Sequence, residues 1–409
     1  MGRVTHEPRI DFDHHSPEFA KDTHGILAGL RATCPVAWSE HYDGFWVISD
    51  WEGNREVLRQ DPIFTPARLP WFPPGGSLTI PKTPGDVRSL PIELTTDEHA
   101  PLRRLLNAVT SPAASNALLP RIEHWTTHFI DQVIESGECD FVYDLATPIP
   151  AYITLEWVGY PLEHAEVAST AMHDTLGQPP GSDAFNRAVE AMGQMHAIIA
   201  ETVVARRANP KDDIISYLCH TPVEGRLLSD REATEMAFTL VGGGVDSTTS
   251  LASSALMHLH RDRSLRQRLI DEPGLLAKAT EEFLRVYPPF ASIARTVVTD
   301  TELKGCPMAA GDRVYVSRYA ANFDASVFDD AEEFIPDRFP NHHVSFGLGP
   351  HRCAGSHIAR LMFQEIMRQV LTRMGDYELF DDRCADYPDH GFSIGWVTMP
   401  GRFTPGARS

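Results

Sequence analysis

Residues 346–355 of the chain read Phe346-Gly347-Leu348-Gly349-Pro350-His351-Arg352-Cys353-Ala354-Gly355. The two glycines before the cysteine allow positive φ angles, so the backbone can fold closely round the sulfur atom of Cys353. Gly355 leaves room for the next helix to pack against a large planar group, and Phe346 would shield the sulfur. This spacing suits a thiolate that binds a flat cofactor, and it predicts that Cys353 is an axial haem ligand.

A segment with helical spacing follows the cysteine. Its apolar members are Ile358, Leu361, Met362, Ile366 and Val370. Cys353 would therefore lie at a helix N-terminus, where the helix dipole and free N–H groups lower the pKa of a thiol. An isolated cysteine in a glycine-rich turn is more often an inert, buried thiol, so the interpretation depends on the rest of the sequence.

The composition limits the classes of protein to which the chain can belong. With 409 residues, 42% of them apolar, it can bury a large core. A formal net charge of -20 argues against a nucleic acid partner, because phosphate binding needs clustered Lys and Arg. The six cysteines include no CxxC pair, which suits a reducing compartment. No apolar run approaches the ~20 residues that a membrane span requires, so we expect a cytoplasmic protein with no membrane contact.

Helical patterns dominate the middle of the chain, and strand patterns lie on either side of them. Short apolar runs predict small β regions over residues 36–50, 296–316 and 392–397. Residues 64–94 are rich in Pro and Gly yet carry large apolar side chains, which predicts a mobile apolar loop with a functional role. With no internal repeat, residues 1–409 are predicted to form a single domain that is mainly α with small β-sheets.

A second motif lies in the middle of the chain. A capping box predicts a helix start at Ser229, and helical spacing continues over residues 229–261, roughly 48 Å. The run Gly242-Gly243-Gly244 interrupts this helix and Asp246-Ser247-Thr248 follows, so we expect a local bulge at the glycines where hydroxyls bond to freed carbonyls. An acid beside hydroxyl groups at such a bulge can relay protons to a bound oxygen. The alternative is a plain packing site with a solvated aspartate.

Glu282 and Arg285 form a third motif. They lie three residues apart on one predicted helix face, ahead of Pro288-Pro289. An i,i+3 ion pair contributes only about a few tenths of a kcal/mol by itself. The pair is therefore informative about the fold only through its order and distance relative to Cys353 in the sequence.

In this order along the chain, the motifs resemble those of the cytochrome P-450 family of haem-thiolate monooxygenases, and the resemblance covers nearly the whole chain. The matching segments are residues 97–99 with Arg103, residues 243–248, Glu282 with Arg285, residues 294–296, residues 334–339 and residues 346–355. The resemblance implies one large helical domain with a long central helix over the haem. It also implies an oxidoreductase with haem b (iron protoporphyrin IX) that uses dioxygen and two externally supplied electrons.

The resemblance further implies a role for each matching residue. Cys353 would bind the iron, and Arg338 would close onto the structural pair Glu282 and Arg285. The other expected cofactor contacts are His99, Arg103, Gly243, Gly244, Arg295, Phe346, Gly347, Gly349, His351 and Gly355. Among them the two histidines and the two arginines would bind the haem propionates.

One departure from the family pattern concerns the proton relay. The family most often has threonine directly after the acid, whereas this chain has Ser247 after Asp246, and Thr248 next. Serine keeps the hydroxyl but lacks the methyl group that restricts its rotamer. Both hydroxyls are therefore candidates for delivering protons together with Asp246.

Eight mostly apolar residues would line the substrate pocket by their position in the family. They are Trp71, Phe72, Phe238, Val241, Phe290, Ile293, Phe392 and Ile394. No charge clamp is evident among them, so we expect a small hydrophobic substrate such as a terpenoid, steroid, fatty acyl or aromatic compound.

The chain has no complete flavin or nicotinamide fingerprint, so its electrons would come from another protein. Soluble members of the family usually take them from a ferredoxin or flavodoxin with its reductase, and Arg352, Arg360 and Arg368 would form the basic docking face. Three alternatives are open at this point. They are a peroxide-dependent or isomerising haem-thiolate enzyme, a non-catalytic haem-binding sensor, and a zinc protein that uses His351 and Cys353.

Overall fold

Helices form most of the computed structural model, which describes residues 7–83, 85–178 and 181–409. The α-helices are α1 (Pro17–Lys21), α2 (Thr23–Thr33), α3 (Trp51–Arg59), α4 (Thr96–Thr110), α5 (Pro112–Asn116), α6 (Leu119–Val133), α7 (Pro148–Val158), α8 (Ala165–Gly177), α9 (Asp183–Ala208), α10 (Ile214–His220), α11 (Asp230–Gly244), α12 (Asp246–Arg261), α13 (Arg263–Asp271), α14 (Leu276–Val286), α15 (Arg318–Asn322) and α16 (Ser356–Arg373). The predicted mainly α architecture is confirmed. None of the described helices has the length and apolar character needed to cross a membrane.

The strands form one larger sheet and three small ones within the described residues. They are β1 (Arg9–Ile10), β2 (Val36–Ser39), β3 (Phe45–Ile48), β4 (Phe64–Thr65), β5 (Glu138–Asp140), β6 (Ser292–Val297), β7 (Thr301–Leu303), β8 (Cys306–Met308), β9 (Arg313–Ser317), β10 (Glu378–Leu379), β11 (Ala385–Asp386), β12 (Trp396–Thr398) and β13 (Pro400–Arg402). The largest sheet has the order β1-β2-β3-β9-β6-β4. Within it Val314 lies between Trp46 on parallel β3 and Arg295 on antiparallel β6, which places Arg295 inside the sheet.

Two of the predicted strand regions are shifted. β6 begins earlier than predicted, at Ser292, because it pairs with β9 from that residue onward. The region 392–397 is an extended strand only from Trp396. Ahead of Trp396 the backbone bonds to the loop after α14 instead of a strand, since Ile394 N donates to Pro289 O at 3.1 Å.

The predicted central helix over residues 229–261 consists of two helices, α11 and α12, which meet at Val245. The predicted capping box forms at its start. The predicted bulge at the glycines is wrong by one residue, because the glycines continue α11 and the backbone departs from it at Val245, with φ -90° and ψ -78°. Ser247 Oγ donates to Gly243 O (2.8 Å) and Thr249 Oγ1 to Val245 O (3.3 Å), so hydroxyls bond to the carbonyls at the break as predicted.

The break divides the packing of the central helix between two apolar cores. α11 packs with α4, α7, α8, α9 and α10, and Val241 and Val245 are fully buried there. α12 packs with α6, α7, α14 and α16 around Leu256, Phe283 and Phe363. The central helix therefore contributes side chains to both apolar cores. The break at Val245 lets α11 and α12 each take the axis direction that packing in its own core requires.

Gly244 shows how closely α11 packs on α7. A Cβ atom at residue 244 would lie 2.7 Å from both Cγ2 and Oγ1 of Thr154, so rotating the threonine about χ1 brings no relief. At Gly242 the same atom would meet nothing within 4 Å. We expect Gly244→Ala to lower the free energy of unfolding by about 1–3 kcal/mol, whereas Gly242→Ala raises it by no more than about 1 kcal/mol. Chemical denaturation measures both changes, and equal stabilities would contradict this account.

The loop over residues 64–94 is irregular after β4 but is anchored to a buried carboxylate. Glu93 is 2% exposed and accepts hydrogen bonds from Ser77 N (2.6 Å) and Arg68 Nε (2.9 Å). Burial acts to raise the pKa of Glu93, but these bonds outweigh it and hold the pKa below its usual value. The ionised carboxylate therefore ties both ends of the loop together.

Candidate active site

The loop that carries Cys353 is shaped by its glycines. Gly347 and Gly349 both have φ 69°, in the left-handed region that favours glycine. A Cβ atom at residue 349 would also lie 2.5 Å from the carbonyl oxygen of Leu58 in α3. Cys353 N donates to Phe346 O at 2.8 Å and closes the turn. The tight turn expected round the cysteine therefore forms.

Cys353 lines an enclosed space. Its side chain is accessible to solvent, yet the protein around it raises the pKa of the thiol by desolvation. The N–H of Gly355 and the charges of Arg103 and Arg318 oppose that rise because they stabilise the thiolate. Helix α16 begins at Ser356, so the sulfur lies just before a helix N-terminus. A side chain that is both accessible and desolvated faces an internal cavity rather than the outer surface.

Three arginines near this cavity have no carboxylate partner among the described residues. Arg295 and Arg318 are buried, and burial lowers the pKa of each to about 10. They donate to carbonyl oxygens, and Nε of Arg318 has no partner in the described part of the chain. Arg103 Nε donates to the amide oxygen of Asn107 at 2.8 Å. Buried cations without a counter-ion cost several kcal/mol, so this wall is built to receive an anionic group.

Two histidines and an aspartate extend this wall. His351 Nε2 lies 3.0 Å from Asp61 Oδ1, and the rings of His99 and His351 are 4.1 Å apart. Burial, together with the charges of His351 and Arg103, lowers the pKa of His99 to about 4. The structure thus brings the four predicted propionate contacts to one wall. It adds Asp61 and Arg318, which belong to no motif with a recognisable spacing and which sequence reasoning missed.

The chemistry of this wall fits a haem. A haem presents two carboxylates beside a planar ring, and its iron needs an axial ligand. The arginines supply positive charge for the carboxylates, and His351 Nδ1 is buried with no partner among the described residues. Cys353 supplies the thiolate from the same cavity. The residues present therefore fit haem b in both charge and ligand type.

Helical periodicity divides the residues at the central helix break into an accessible face and a buried face. Gly243 and Ser247 are four residues apart and accessible, as is Leu240. Val241 and Thr248 are only 0% and 2% exposed. The structure therefore places Val241 in the core rather than in a pocket wall, because the helix turns it inward. The same phase leaves the Ser247 hydroxyl accessible and buries that of Thr248.

Asp246 lies away from this accessible face. Its side chain is 3% exposed, and the hydroxyl of Tyr387 lies 3.1 Å from each carboxylate oxygen. His173 Nδ1 lies 3.2 Å from Oδ1 of the same carboxylate. The sequence predicts Asp246 but gives no signal for these two partners, which come from α8 and from the segment after β11.

Glu282 and Arg285 form a fully buried ion pair, with both side chains 0% exposed. Arg285 donates to both carboxylate oxygens, from Nε at 2.9 Å and Nη2 at 2.8 Å. Arg338 Nε lies 3.1 Å from each of the same oxygens, and Ile335 N donates to one of them at 2.9 Å. The structure thus brings the segment with Arg338 onto the pair that the sequence singles out.

An aromatic pair lies among the residues expected at the substrate pocket. The rings of Phe290 and Phe392 are 5.0 Å apart. Ile394 joins the same region through its bond to Pro289, and Ile293 follows on β6. The four predicted pocket residues of this group are half-buried, as expected for an apolar wall with one free side.

Three other expected pocket residues lie apart from the aromatic pair. Trp71 and Phe72 lie beside Gly311, where a Cβ atom would be 3.8 Å and 3.6 Å from them, and Trp71 is 56% exposed. Gly311 N donates to Val297 O at 2.9 Å, two residues along β6 from Arg295. Phe238 packs against His196 with ring centroids 5.2 Å apart. Trp71 and Phe72 therefore lie at the end of β6 that carries Val297.

Comparison with known proteins gives a consistent result. A family model described as cytochrome P-450 matches residues 179–375. The steroid C26-monooxygenase of Mycobacterium tuberculosis is 30% identical over 408 residues, which cover 98% of this chain and 99% of that protein. This chain belongs to the cytochrome P-450 family.

Other cytochromes P-450 match over most of the chain. The erythromycin C-12 hydroxylase of Saccharopolyspora erythraea is 30% identical over 357 residues, covering 85% of this chain and 86% of that protein. The crystal structure of a Bacillus megaterium cytochrome P-450 in complex with testosterone superposes with a TM-score of 0.84 at 26% identity, covering 95% of this chain and 99% of that one. The predicted family, fold and haem b cofactor are confirmed, and the protein is a haem-thiolate monooxygenase.

Proposed function

We propose that this cytochrome P-450 hydroxylates an apolar molecule of the steroid class, and that Asp246 and Ser247 deliver the protons that the reaction consumes. The observation that carries the proton assignment is the 2.8 Å hydrogen bond from Ser247 Oγ to Gly243 O on the accessible face of the central helix. Half-buried Phe290 and Phe392 support an apolar substrate. The name of the Mycobacterium relative supports the steroid class.

In this proposal the haem is held by the cysteine loop and the cationic wall. Cys353 would bind the haem iron, and Phe346 would shield its sulfur. His99, Arg103, Arg295, Arg318 and His351 would hold the haem carboxylates. When bound, the haem would supply the oxidant, made from dioxygen and two external electrons, for inserting one oxygen atom into a substrate C–H bond.

Ser247 directs protons at the break in the central helix. Its hydroxyl proton is donated to Gly243 O, which fixes a side chain that lacks the rotamer-restricting methyl group of threonine. The lone pairs of Oγ then face the cavity and orient a water molecule there. Asp246, one residue earlier, is the acid that supplies this water with a proton. Thr248 has no such role in this proposal because its hydroxyl is buried.

We expect Ser247→Ala to lower the product formed per reduced nicotinamide consumed by about tenfold to a hundredfold, because the water that carries the proton loses its direction. Thr248→Ala is the matched control and should stay close to the wild-type value. The measurement uses wild type and both variants with dioxygen, a ferredoxin, its reductase and a panel of steroids. Equal coupling in all three proteins, or a larger loss in Thr248→Ala, would contradict the assignment.

The same assay separates the proposal from its alternatives. Stoichiometric steroid hydroxylation with dioxygen and electrons supports a monooxygenase of this substrate class. Product from hydrogen peroxide, with none from dioxygen and electrons, favours the peroxide-dependent alternative. A panel of fatty acids run in parallel identifies a long-chain acyl substrate if steroids fail.

We also propose that a ferredoxin or flavodoxin with its reductase donates the electrons, in the cytoplasm. The six unpaired cysteines support a reducing compartment. Arg352 is exposed and supports a docking face beside the cysteine loop. Two other expected members of that face are already neutralised: Arg360 pairs with Glu281 and Arg368 with Glu365, each at 2.6 Å. The basic face in this proposal therefore centres on Arg352.

A further inference from the structure

Three buried titratable residues meet behind the central helix break. They are His173 (0% exposed) at the end of α8, Asp246 (3%) at the start of α12 and Tyr387 (1%) after β11. His173 Nδ1 is 3.2 Å from Asp246 Oδ1, and Tyr387 OH is 3.1 Å from both carboxylate oxygens and 3.3 Å from His173 Nδ1. Asp246 is the acid of the proposed proton delivery, so its partners set how it gains and loses protons.

The hydrogen bonds around His173 favour its charged form. Nδ1 faces a carboxylate oxygen of Asp246, and Nε2 faces the carbonyl oxygen of Val397 at 3.1 Å. Both of these neighbours are acceptors, and only a doubly protonated imidazole has a proton for each. The Tyr387 hydroxyl is a third neighbour of Nδ1, at 3.3 Å, but it is closer to the carboxylate oxygens, at 3.1 Å, and donates to them. A neutral ring that kept its proton on Nε2 would set a bare nitrogen against the carboxylate. The geometry therefore indicates an imidazolium paired with an ionised aspartate.

The charges around His173 also favour the doubly protonated imidazole. Burial acts to lower the pKa of His173, but the hydrogen bond and the negative charge of Asp246 outweigh it and raise the pKa, with Asp174 on the same helix contributing in the same direction. The ring of Tyr143 packs edge-on at 5.3 Å. Burial and Asp246 hold the pKa of Tyr387 well above its usual value, so its hydroxyl remains a neutral donor.

The same contacts occupy both oxygens of Asp246. Tyr387 and His173 hold the carboxylate on the side of α12 away from the accessible Ser247. The side chains that can pass a proton to the carboxylate by direct contact are therefore His173 and Tyr387. Of these two, His173 is the donor that can lose a proton, because burial and Asp246 hold the pKa of the Tyr387 hydroxyl well above its usual value.

We propose that His173 reprotonates Asp246 during turnover, with Tyr387 holding the carboxylate in line with the imidazolium. The inference rests on the proposed role of Asp246, and both residues act through it. From the state with an imidazolium and an ionised aspartate, the N–H bond at Nδ1 of His173 breaks and an O–H bond forms at Oδ1 of Asp246. Asp246 then releases this proton toward the water at Ser247 and is ionised again. The imidazole becomes neutral and keeps its Nε2 proton on Val397 O. No electrons are transferred, and a proton from solvent restores the imidazolium.

The protonation state is tested first, without turnover. The holoprotein is labelled with ¹⁵N-histidine and studied by NMR in its diamagnetic reduced, carbon monoxide-bound form at pH 8, where an ordinary histidine of pKa about 6.5 is neutral. We expect an imidazolium signal that is absent in His173→Gln and neutral in Asp246→Asn; His15 has a similar pair of acceptors, so the variants assign the signal. A neutral His173 in the wild type overturns the proposal.

Turnover is tested with matched variants. His173→Gln keeps a side-chain N–H donor but has no proton to transfer, and Tyr387→Phe removes the hydroxyl. The control is His258→Gln, because His258 also sits on α12 in a bond to a tyrosine, Tyr287, at 2.7 Å. We expect His173→Gln to lower product per reduced nicotinamide by about tenfold or more and to flatten its pH profile, while His258→Gln keeps the wild-type profile.

The outcomes separate this inference from the proposed function. Wild-type coupling in His173→Gln, or lost coupling with an unchanged pH profile, overturns the role of His173 while Asp246→Asn still uncouples the enzyme. Full coupling in Asp246→Asn overturns both the role of Asp246 and the inference built on it. Loss of coupling in His173→Gln and Asp246→Asn together, with the imidazolium signal in the wild type, supports proton transfer between them.

Discussion

Cys353→Ser is expected to abolish the strongly red-shifted Soret band of the reduced, carbon monoxide-bound protein together with its hydroxylase activity. A thiolate donates electron density to iron, and the Gly355 N–H, Arg103 and Arg318 stabilise that charge at Cys353. A serine hydroxyl stays protonated at neutral pH and cannot replace it. The loss of activity should exceed the roughly 10–100-fold that removal of an outer-shell partner of a metal ligand costs.

The control for this variant is another cysteine of the same chain. Cys384 is half-buried, and burial together with nearby aspartates raises the pKa of its thiol to about 11, so it is a protonated thiol at neutral pH. Cys384→Ser should keep the red-shifted band and the activity. A band that survives Cys353→Ser in folded protein would refute the ligand assignment, whatever the activity.

The second large effect is on stability. Arg285→Leu is expected to lower the free energy of unfolding by about 3–5 kcal/mol, because it leaves Glu282 as a buried charge without its partner. The arginine also donates to the carbonyl oxygens of Asn322 (2.9 Å), Ala331 (2.7 Å) and Glu333 (2.8 Å), which lose their donor as well. Chemical denaturation of the holoprotein, followed by the haem and far-ultraviolet signals, measures the change.

A matched control is available at an exposed pair with the same spacing. Glu365 and Arg368 are also i,i+3 partners, but their side chains are 13% and 51% exposed. Arg368→Leu should change the free energy of unfolding by less than about 1 kcal/mol. Similar losses in Arg285→Leu and Arg368→Leu would show that burial does not determine the effect.

The carboxyl group of Glu282 determines how the free energy of unfolding changes with pH. Burial acts to raise its pKa, but the hydrogen bonds from Arg285, Ile335 and Arg338 outweigh it and lower the pKa in the folded protein. Stability from this carboxylate is therefore fully present above its unfolded pKa of about 4.3 and is lost as the pH falls through the lower folded value. The stability difference between wild type and Arg285→Leu should accordingly shrink in acid.

The parts of the site that sequence predicts are those whose chemistry is local. The turn round Cys353 needs particular φ angles, and these require glycine at positions that can be read from the sequence. The Glu282–Arg285 pair lies within one helical turn. Both features can be predicted because the residues that determine them lie within a few positions of each other in the sequence.

The missed residues owe their roles to distant contacts. Asp61 meets His351 across 290 positions of sequence, and His173 meets Asp246 across 73. No local pattern marks such partners, because only the packing of separate helices brings them together. Val241 is a different kind of error: the helix was predicted, but the residues that face the cavity depend on helix phase, which the kink at the break and the core on the other side determine.

The two crowded glycines differ in the kind of evolutionary change that they permit. A side chain at Gly244 would collide with the side chain of Thr154, so a smaller residue at position 154 can compensate and the two positions are free to change together. A side chain at Gly349 would collide with the main chain of Leu58 and Arg59. Every amino acid has that main chain, so no second substitution in α3 restores the space. Gly349 is therefore fixed by the backbone of a neighbouring helix, independently of which metal or cofactor the loop holds.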